Sequence, residues 1–302
     1  MKREFRNLSR RSYELKQDEL AAAKRSLYYW WWRYLRLSVD YWWLCQQNGK
    51  TRDKTFAKTY SDFGDVFDVY SDFDTWWEAN GTRLFAYQIT PPKVDYYSED
   101  EFLLRRRENW YHQILVPKFF TKTEILKQID TLFEGFKPQR FPEELRAIRT
   151  VAPLQGVRKS VLIEVHKTWC LNDAIRRAKI AGALINPMRY TQYWMGNALD
   201  LRGSESKVKR YSKSQADYEN LAMRVKVNRY LSRADMLIKN VEVGIFPSVK
   251  PVETRQYWTR KQQMEMQLAV DAGHWISPES RTSGIQKLLG ISIEGDDEAD
   301  NC

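Results

Sequence analysis

Carboxylates crowd one stretch of this chain. Asp62, Asp65, Asp68, Asp72, Asp74 and Glu78 all fall between Tyr60 and Asn80, and clustered acids are how phosphoryl-transfer sites hold Mg²⁺. At three-residue spacing Asp62, Asp65 and Asp68 can share a helix face. No general base or basic clamp stands beside them, so the run reads more naturally as a wet helix face or as partners for basic helices of the same chain. His166 and Cys170, four residues apart, can point the same way on a helix and ligate a metal. A closed zinc site takes four ligands, however, and the sequence holds no second His/Cys pair of this kind. No P-loop, dinucleotide fingerprint or nucleophile elbow occurs. The expectation is therefore no cofactor and no resident metal.

Arg107 and His112 bracket Glu108-Asn109-Trp110-Tyr111. This spacing resembles the Arg-x4-His signature of HEPN-fold ribonucleases. The resemblance implies His112 as general base or acid toward a 2′-hydroxyl, with Arg107 steadying the phosphate. Glu108 stands where that signature often carries Asp, Asn or His, and the plainer reading of His112 is a structural histidine beside Trp110. Asp62-Phe63-Gly64 spells the metal-binding tripeptide of protein kinases, but neither their Gly-rich loop nor their catalytic-loop pattern accompanies it. The tripeptide is a coincidence of composition.

A second type of chemistry is binding without reaction. The chain carries a formal net charge of +10, distributed as +8 over residues 1–59, −8 over 60–104, +2 over 105–136, +13 over 137–265 and −5 over 266–302. A basic half of this kind attracts polyanions over about 8–10 Å at moderate salt. Its cations are also grouped. Arg176, Arg177 and Lys179 precede Asn186-Pro187; Lys207, Lys209, Arg210 and Lys213 follow in a polar loop. Arg224, Lys226, Arg229 and Arg233 recur at helical spacing, so one edge can track a phosphate strand. Between these groups, Arg189, Tyr190, Gln192, Tyr193 and Asn197 are the candidates for facing a groove some 12 Å wide, in a helix-turn-helix-like unit. The bland alternative is a solvated face on packed helices.

These residues need elements to hold them. Leu27 to Cys45 contains five of the twelve tryptophans. At helical spacing Leu27, Trp31, Tyr34, Leu35, Trp42 and Cys45 form an apolar stripe, and Arg33, Arg36 and Asp40 a polar one, predicting an amphipathic helix at the centre of the core. Residues 9–47 read as one long helix or a helical hairpin, with Ser9 as a cap and Asn48-Gly49 as the stop. Aromatics at every third or fourth position from Phe63 to Trp77 predict short helices laid on it. Leu84–Thr90 reads as a strand or turn, and Ser98–His112 as helix. Thr121 and Glu124 form a capping box that opens a helix over Lys122–Glu134. Val161–His166 is ambiguous between strand and helix; Asn172 and Thr191 can cap helices through Ile185 and Leu201; Ser214 can cap a third over Gln215–Glu242. A last helix is expected over 254–270.

Membrane insertion is not expected, because Arg33, Arg36 and Asp40 interrupt the densest apolar stretch. The basic start lacks the apolar run of a secretory signal, and Cys45, Cys170 and Cys302 are too few and too scattered for a disulfide framework. These features predict a cytoplasmic protein.

Three blocks carry a patchy resemblance: Tyr60–Val66, the segment from Trp76-Trp77 to Leu84-Phe85, and Arg229-Tyr230-Leu231 through Asn240-Val241-Glu242, Gly244 and Phe246-Pro247. They are similar to those of an uncharacterised protein family of proteobacterial mobile elements and prophages. The resemblance implies a bacterial cytosolic setting near mobile DNA and no particular activity. The combined expectation is a mainly α protein with at most a few short strands. An aromatic-cored helical domain (1–136) supports a basic helical domain (137–270), followed by a loosely ordered acidic tail (271–302). The function expected is non-catalytic nucleic-acid binding, to DNA more than RNA. The alternatives are a structural or assembly subunit with protein partners, and a HEPN-like or metal-dependent nuclease.

Overall fold

The computed structural model describes residues 5, 8–9, 14–87, 120–132, 134, 147–151, 158–184, 186–201, 213–253 and 255–290. The protein is mainly α, and no β-strand occurs among the described residues. Its first part is three short helices rather than one long one: α1 (Lys16–Lys24), α2 (Leu27–Leu35) and α3 (Val39–Gln46). Serines make the breaks. Ser26 Oγ accepts from the Tyr28 amide at 3.1 Å and Ser38 Oγ from the Tyr41 amide at 2.9 Å, which satisfies amides left free at each helix start. A serine side chain thus wins locally over the helix propensity that the uninterrupted pattern suggested.

The expected amphipathic stripe is also not what folds. Tyr28, Trp30, Trp31, Trp32, Tyr34 and Leu35 are all buried, so α2 is covered on every side, as a helix apolar all round must be. Arg36, placed on the polar stripe, is 7 % exposed. Each buried Trp or Tyr removes on the order of 150–250 Å² from water, which makes α2 the centre of the core.

The next elements wrap it. Asp53 caps α4 (Lys54–Phe63) by accepting from the Phe56 amide at 2.9 Å. Gly64, at φ +70°, ends the helix in a backbone region closed to most side chains. Asp72 caps α5 (Phe73–Trp76), a π-helical turn over Trp77–Gly81 follows, and α6 (Thr82–Phe85) completes the run. Leu84 and Phe85 are therefore helical where strand or turn was expected. Phe63 stacks on Trp76 at 5.6 Å and 17°, and the Trp76 indole donates to Phe63 O at 2.8 Å. The capping box at Thr121 and Glu124 forms, and α7 spans Lys122–Leu132. Ser98–His112 and the loop 203–212 lie outside the described residues.

Beyond it, Val161–His166 belongs to α8 (Lys159–Ile180), so Asn172 lies inside a helix and caps none. α8 stops just before Gly182, whose φ of +66° suits a helix end. After a 3₁₀ turn (Pro187–Arg189), Thr191 caps α9 (Gln192–Ala198) as expected, and α10 runs from Lys213 to Glu242 with Ser214 inside it. α11 (Arg260–Asp271) opens at a capping box of Thr259 and Gln262, six residues later than the expected start. The segment expected to be loose is folded as far as residue 290. Trp275, Ser277, Glu279 and Leu289 are buried, and a 3₁₀ turn (Pro278–Arg281) leads into α12 (Ser283–Leu289).

One hydrophobic cluster takes side chains from both sides of residue 136. α2 packs on α8 and α10. Tyr34 Oη donates to Leu162 O at 2.9 Å, and Trp31 and Tyr34 both meet Phe246. No helix of the described residues is long and apolar enough to cross a membrane.

Candidate functional site

Among the described residues, the predicted basic side chains lie on α8, the turn after it and α10, while α9 carries Gln192, Tyr193 and Asn197. α9 lies so close to α10 that a Cβ on Gly196 would meet the Met223 sulfur at 2.2 Å. Tyr190 is held edge-on to Trp194 at 4.8 Å and donates to Leu289 O at 3.0 Å. It is thus a structural residue rather than a free reader. Gln192 donates through Nε2 to Asn228 Oδ1, tying α9 to α10. Tyr193 is half-buried, and Asn197 is exposed.

The cations divide into two kinds. Arg177 Nε meets Asp173 at 2.8 Å, Arg177 Nη1 donates to Trp275 O at 2.7 Å, and the guanidinium sits 4.8 Å over the Trp275 ring. Lys226 donates to Leu201 O and lies 5.6 Å over the Tyr230 ring. Both are held against the fold by these contacts. Arg176 keeps 60 % of its side chain exposed despite a 3.3 Å contact with Asp173. Lys179, Arg189, Arg224 and Arg229 are exposed, Arg233 is half-buried, and none of these five makes an ion pair among the described residues. Lys213 opens α10. Lys207, Lys209 and Arg210 lie outside the described residues, as do Arg107 and His112 of the nuclease alternative.

Two grooves receive these cations. Arg176 and Lys179 line one, with Met188 and Gln192 on its far wall; Arg229 and Arg233 line the other, with Asn228 and Met236. The Gln192–Asn228 hydrogen bond joins a wall of the first to a wall of the second. The turn between α8 and α9 is long, and seven-residue α9 spans only about 10 Å.

The other candidate chemistries disperse. Asp62 is buried against Arg149, with Nε to Oδ2 at 2.7 Å. Asp65 Oδ1 accepts from the Phe67 and Asp68 amides, Asp72 caps α5, and Asp74 pairs with Lys24. These four carboxylates thus have separate partners. No three His, Cys, Asp or Glu side chains converge on one point among the described residues. His166 and Cys170 do meet, Nδ1 to Sγ at 3.6 Å, and His166 Nε2 lies 3.8 Å from Glu279 Oε2. The order thiol, imidazole, carboxylate is that of a nucleophilic triad. Yet His166 and Cys170 are 2 % and 1 % exposed. Burial, with Arg33 and Lys167 nearby, holds His166 well below the ordinary imidazole range, and burial pushes the Cys170 thiol well up. A thiol kept protonated and shut off from substrate is packing, not a nucleophile.

A cavity of about 450 Å³ adjoins the first groove, sharing Arg176 with it. Asp40, Asp235 and Glu242 line it together with Trp169, Tyr257, Trp258 and Trp275. Trp258 Nε1 donates to Asp40 Oδ1 at 2.7 Å. Glu242, 4 % exposed, accepts from Ser38 Oγ at 2.6 Å and from Tyr257 Oη at 3.2 Å. Burial, and then the nearby Asp40, pushes the Glu242 carboxyl up to about 8. Sequence reasoning missed this cavity because its walls come from α3, α8, α10 and the segment 252–275. The one local signal was the Tyr257-Trp258 pair in an otherwise polar stretch.

Compared with known protein families, curated proteins and solved structures, the chain matches none.

Proposed function

We propose that this protein binds nucleic acid without performing chemistry on it, DNA in preference to RNA, along the two cation-bearing grooves. The observation that supports this most is that one hydrogen bond links a wall of each groove. Arg176 and Lys179 stand on one side of the Gln192–Asn228 bridge, and Arg229 and Arg233 on the other. Side chains spread in this way suit a phosphate strand better than a single small anion. The helix order α8, α9, α10 supports the helix-turn-helix-like expectation, with the basic edge of α10 holding the backbone. The mobile-element resemblance supports a cytoplasmic accessory role on a bacterial mobile element or prophage.

A gel-shift panel of double-stranded DNA, single-stranded DNA and RNA at two salt concentrations tests the reading, each lane also scored for degradation. The expected result is retardation, strongest for the duplex and falling steeply with salt, with every probe intact. Cleavage of a probe would favour the nuclease alternative, and salt-insensitive absence of binding would overturn the proposal. A second reading rests on a different observation. Tyr218, Leu221, Val225 and Met236 of α10 are 72 %, 58 %, 40 % and 38 % exposed. An apolar stripe beside cations is what a subunit of a protein complex presents.

A further inference from the structure

The acidic, aromatic cavity plays no part in the nucleic-acid reading, and its charge opposes that role. One of its cations is already engaged, since Arg255 contacts Asp53 at 2.9 Å, and Arg176 is shared with the first groove. Asp40, Asp173, Asp235 and Glu253 then face Arg176 and Lys239 among the described lining residues, while Glu242, pushed up to about 8, is protonated at neutral pH. After this internal pairing the cavity is a poor host for phosphate and a good one for positive charge. One of its carboxylates is also pre-oriented: an indole N–H anchors Asp40 through one oxygen, leaving lone pairs for a further donor. The walls are four aromatic side chains, Trp169, Tyr257, Trp258 and Trp275, whose ring faces attract cations and cover an apolar body. A volume of about 450 Å³ lies in the range of small-molecule sites. A further observation concerns a donor. Trp275 is 4 % exposed, and its indole N–H is buried with no acceptor among the described residues. Such a group is costly to leave unpaired.

We infer that this cavity is a binding site for a small organic cation, with an ammonium or guanidinium head between Asp40 and Asp235 and an apolar or aromatic body against the tryptophans. Anionic and neutral molecules of the same shape would be rejected, because they leave the carboxylates uncompensated.

A matched set of three probes tests this on the full chain by titration calorimetry: tyramine, its neutral alcohol counterpart tyrosol, and the anion 4-hydroxyphenylacetate. They share one aromatic body and differ in head charge. Tyramine is expected to bind about tenfold or more tightly than tyrosol, with no heat from the anion. In the Asp40→Asn/Asp235→Asn variant, which keeps an acceptor for the Trp258 indole, that preference is expected to vanish. Equal binding of the three probes, or no binding of tyramine up to millimolar concentration, would overturn the inference. So would a preference that survives the double substitution. The outcome is independent of the gel-shift result, since neither Asp40 nor Asp235 is among the cations of the nucleic-acid reading.

Discussion

Arg33 and Glu279 are 246 positions apart in sequence, yet Arg33 Nε donates to Glu279 Oε2 at 2.6 Å; Arg36 Nε reaches the other carboxylate oxygen at 3.1 Å. One carboxylate thus receives two guanidinium groups and fastens the 278–281 turn to α2. Arg36 and the Glu279 side chain are 9 % and 7 % exposed, so neither charge can fall back on water. Removing the shared acceptor strands one buried cation, Arg36, and one partly buried one, Arg33. Glu279→Ala is expected to destabilise the fold by about 3–5 kcal/mol, read by denaturant unfolding of both proteins. A loss below about 1 kcal/mol, the value of an exposed pair, would contradict the burial described.

A second buried pair reports on backbone geometry. Arg149 binds Asp62 at 2.7 Å and donates through Nη1 to Gly244 O at 3.2 Å. Gly244 has φ +76°, and a Cβ there would meet Arg149 Nη1 at 2.0 Å. Gly244→Ala therefore combines a strained conformation with displacement of a buried guanidinium. The expected cost is about 2 kcal/mol or more. Gly182→Ala has the strained φ but open space around it, so it should cost less. Thermal unfolding of the two variants side by side checks the order.

Glu242 predicts a pH dependence of unusual sign. The folded carboxyl titrates at about 8 and a free one near 4.5. Between these values the folded chain holds a proton that the unfolded chain has lost, so raising the pH favours unfolding. The contribution is fully present below pH 4.5 and is lost as the pH rises through 8. Glu242→Gln removes the ionisation and retains an acceptor for Ser38 and Tyr257. Relative to the parent, the variant should gain stability from pH 5 to pH 9, by on the order of a few kcal/mol. Parallel slopes for the two proteins would rule this out.

What the sequence made legible follows from which forces are local. The capping boxes of Thr121 and Glu124, and the Thr191 cap, act within four residues, and both form. The aromatic content of Leu27–Cys45 correctly placed the core, because that much apolar area has to be buried somewhere. Periodicity failed where every face is covered: on α2 it assigned Arg33 and Arg36 to solvent, and only a carboxylate from position 279 makes their burial affordable. Among the site residues, charge alone could not separate Arg176 from Arg177. One stays largely exposed, and the other is fixed by Trp275, a residue 98 positions away.

That division gives the nucleic-acid reading its sharpest test. Arg176, Lys179 and Arg229 are exposed, and the first two line one groove while the third lines the other. Each that contacts a phosphate contributes about one unit to the slope of log affinity against log salt. The triple alanine variant should bind duplex DNA more weakly at low salt, with a slope shallower by about two to three, and should unfold at the parent's denaturant midpoint. Arg177→Ala should do the opposite, losing stability through Asp173 and Trp275 while changing the salt slope little. Fluorescence anisotropy over a salt series, paired with denaturant melts of the same preparations, separates the two kinds of cation. If Arg177→Ala flattened the slope and the triple variant did not, the phosphate path would have to be drawn elsewhere on the molecule.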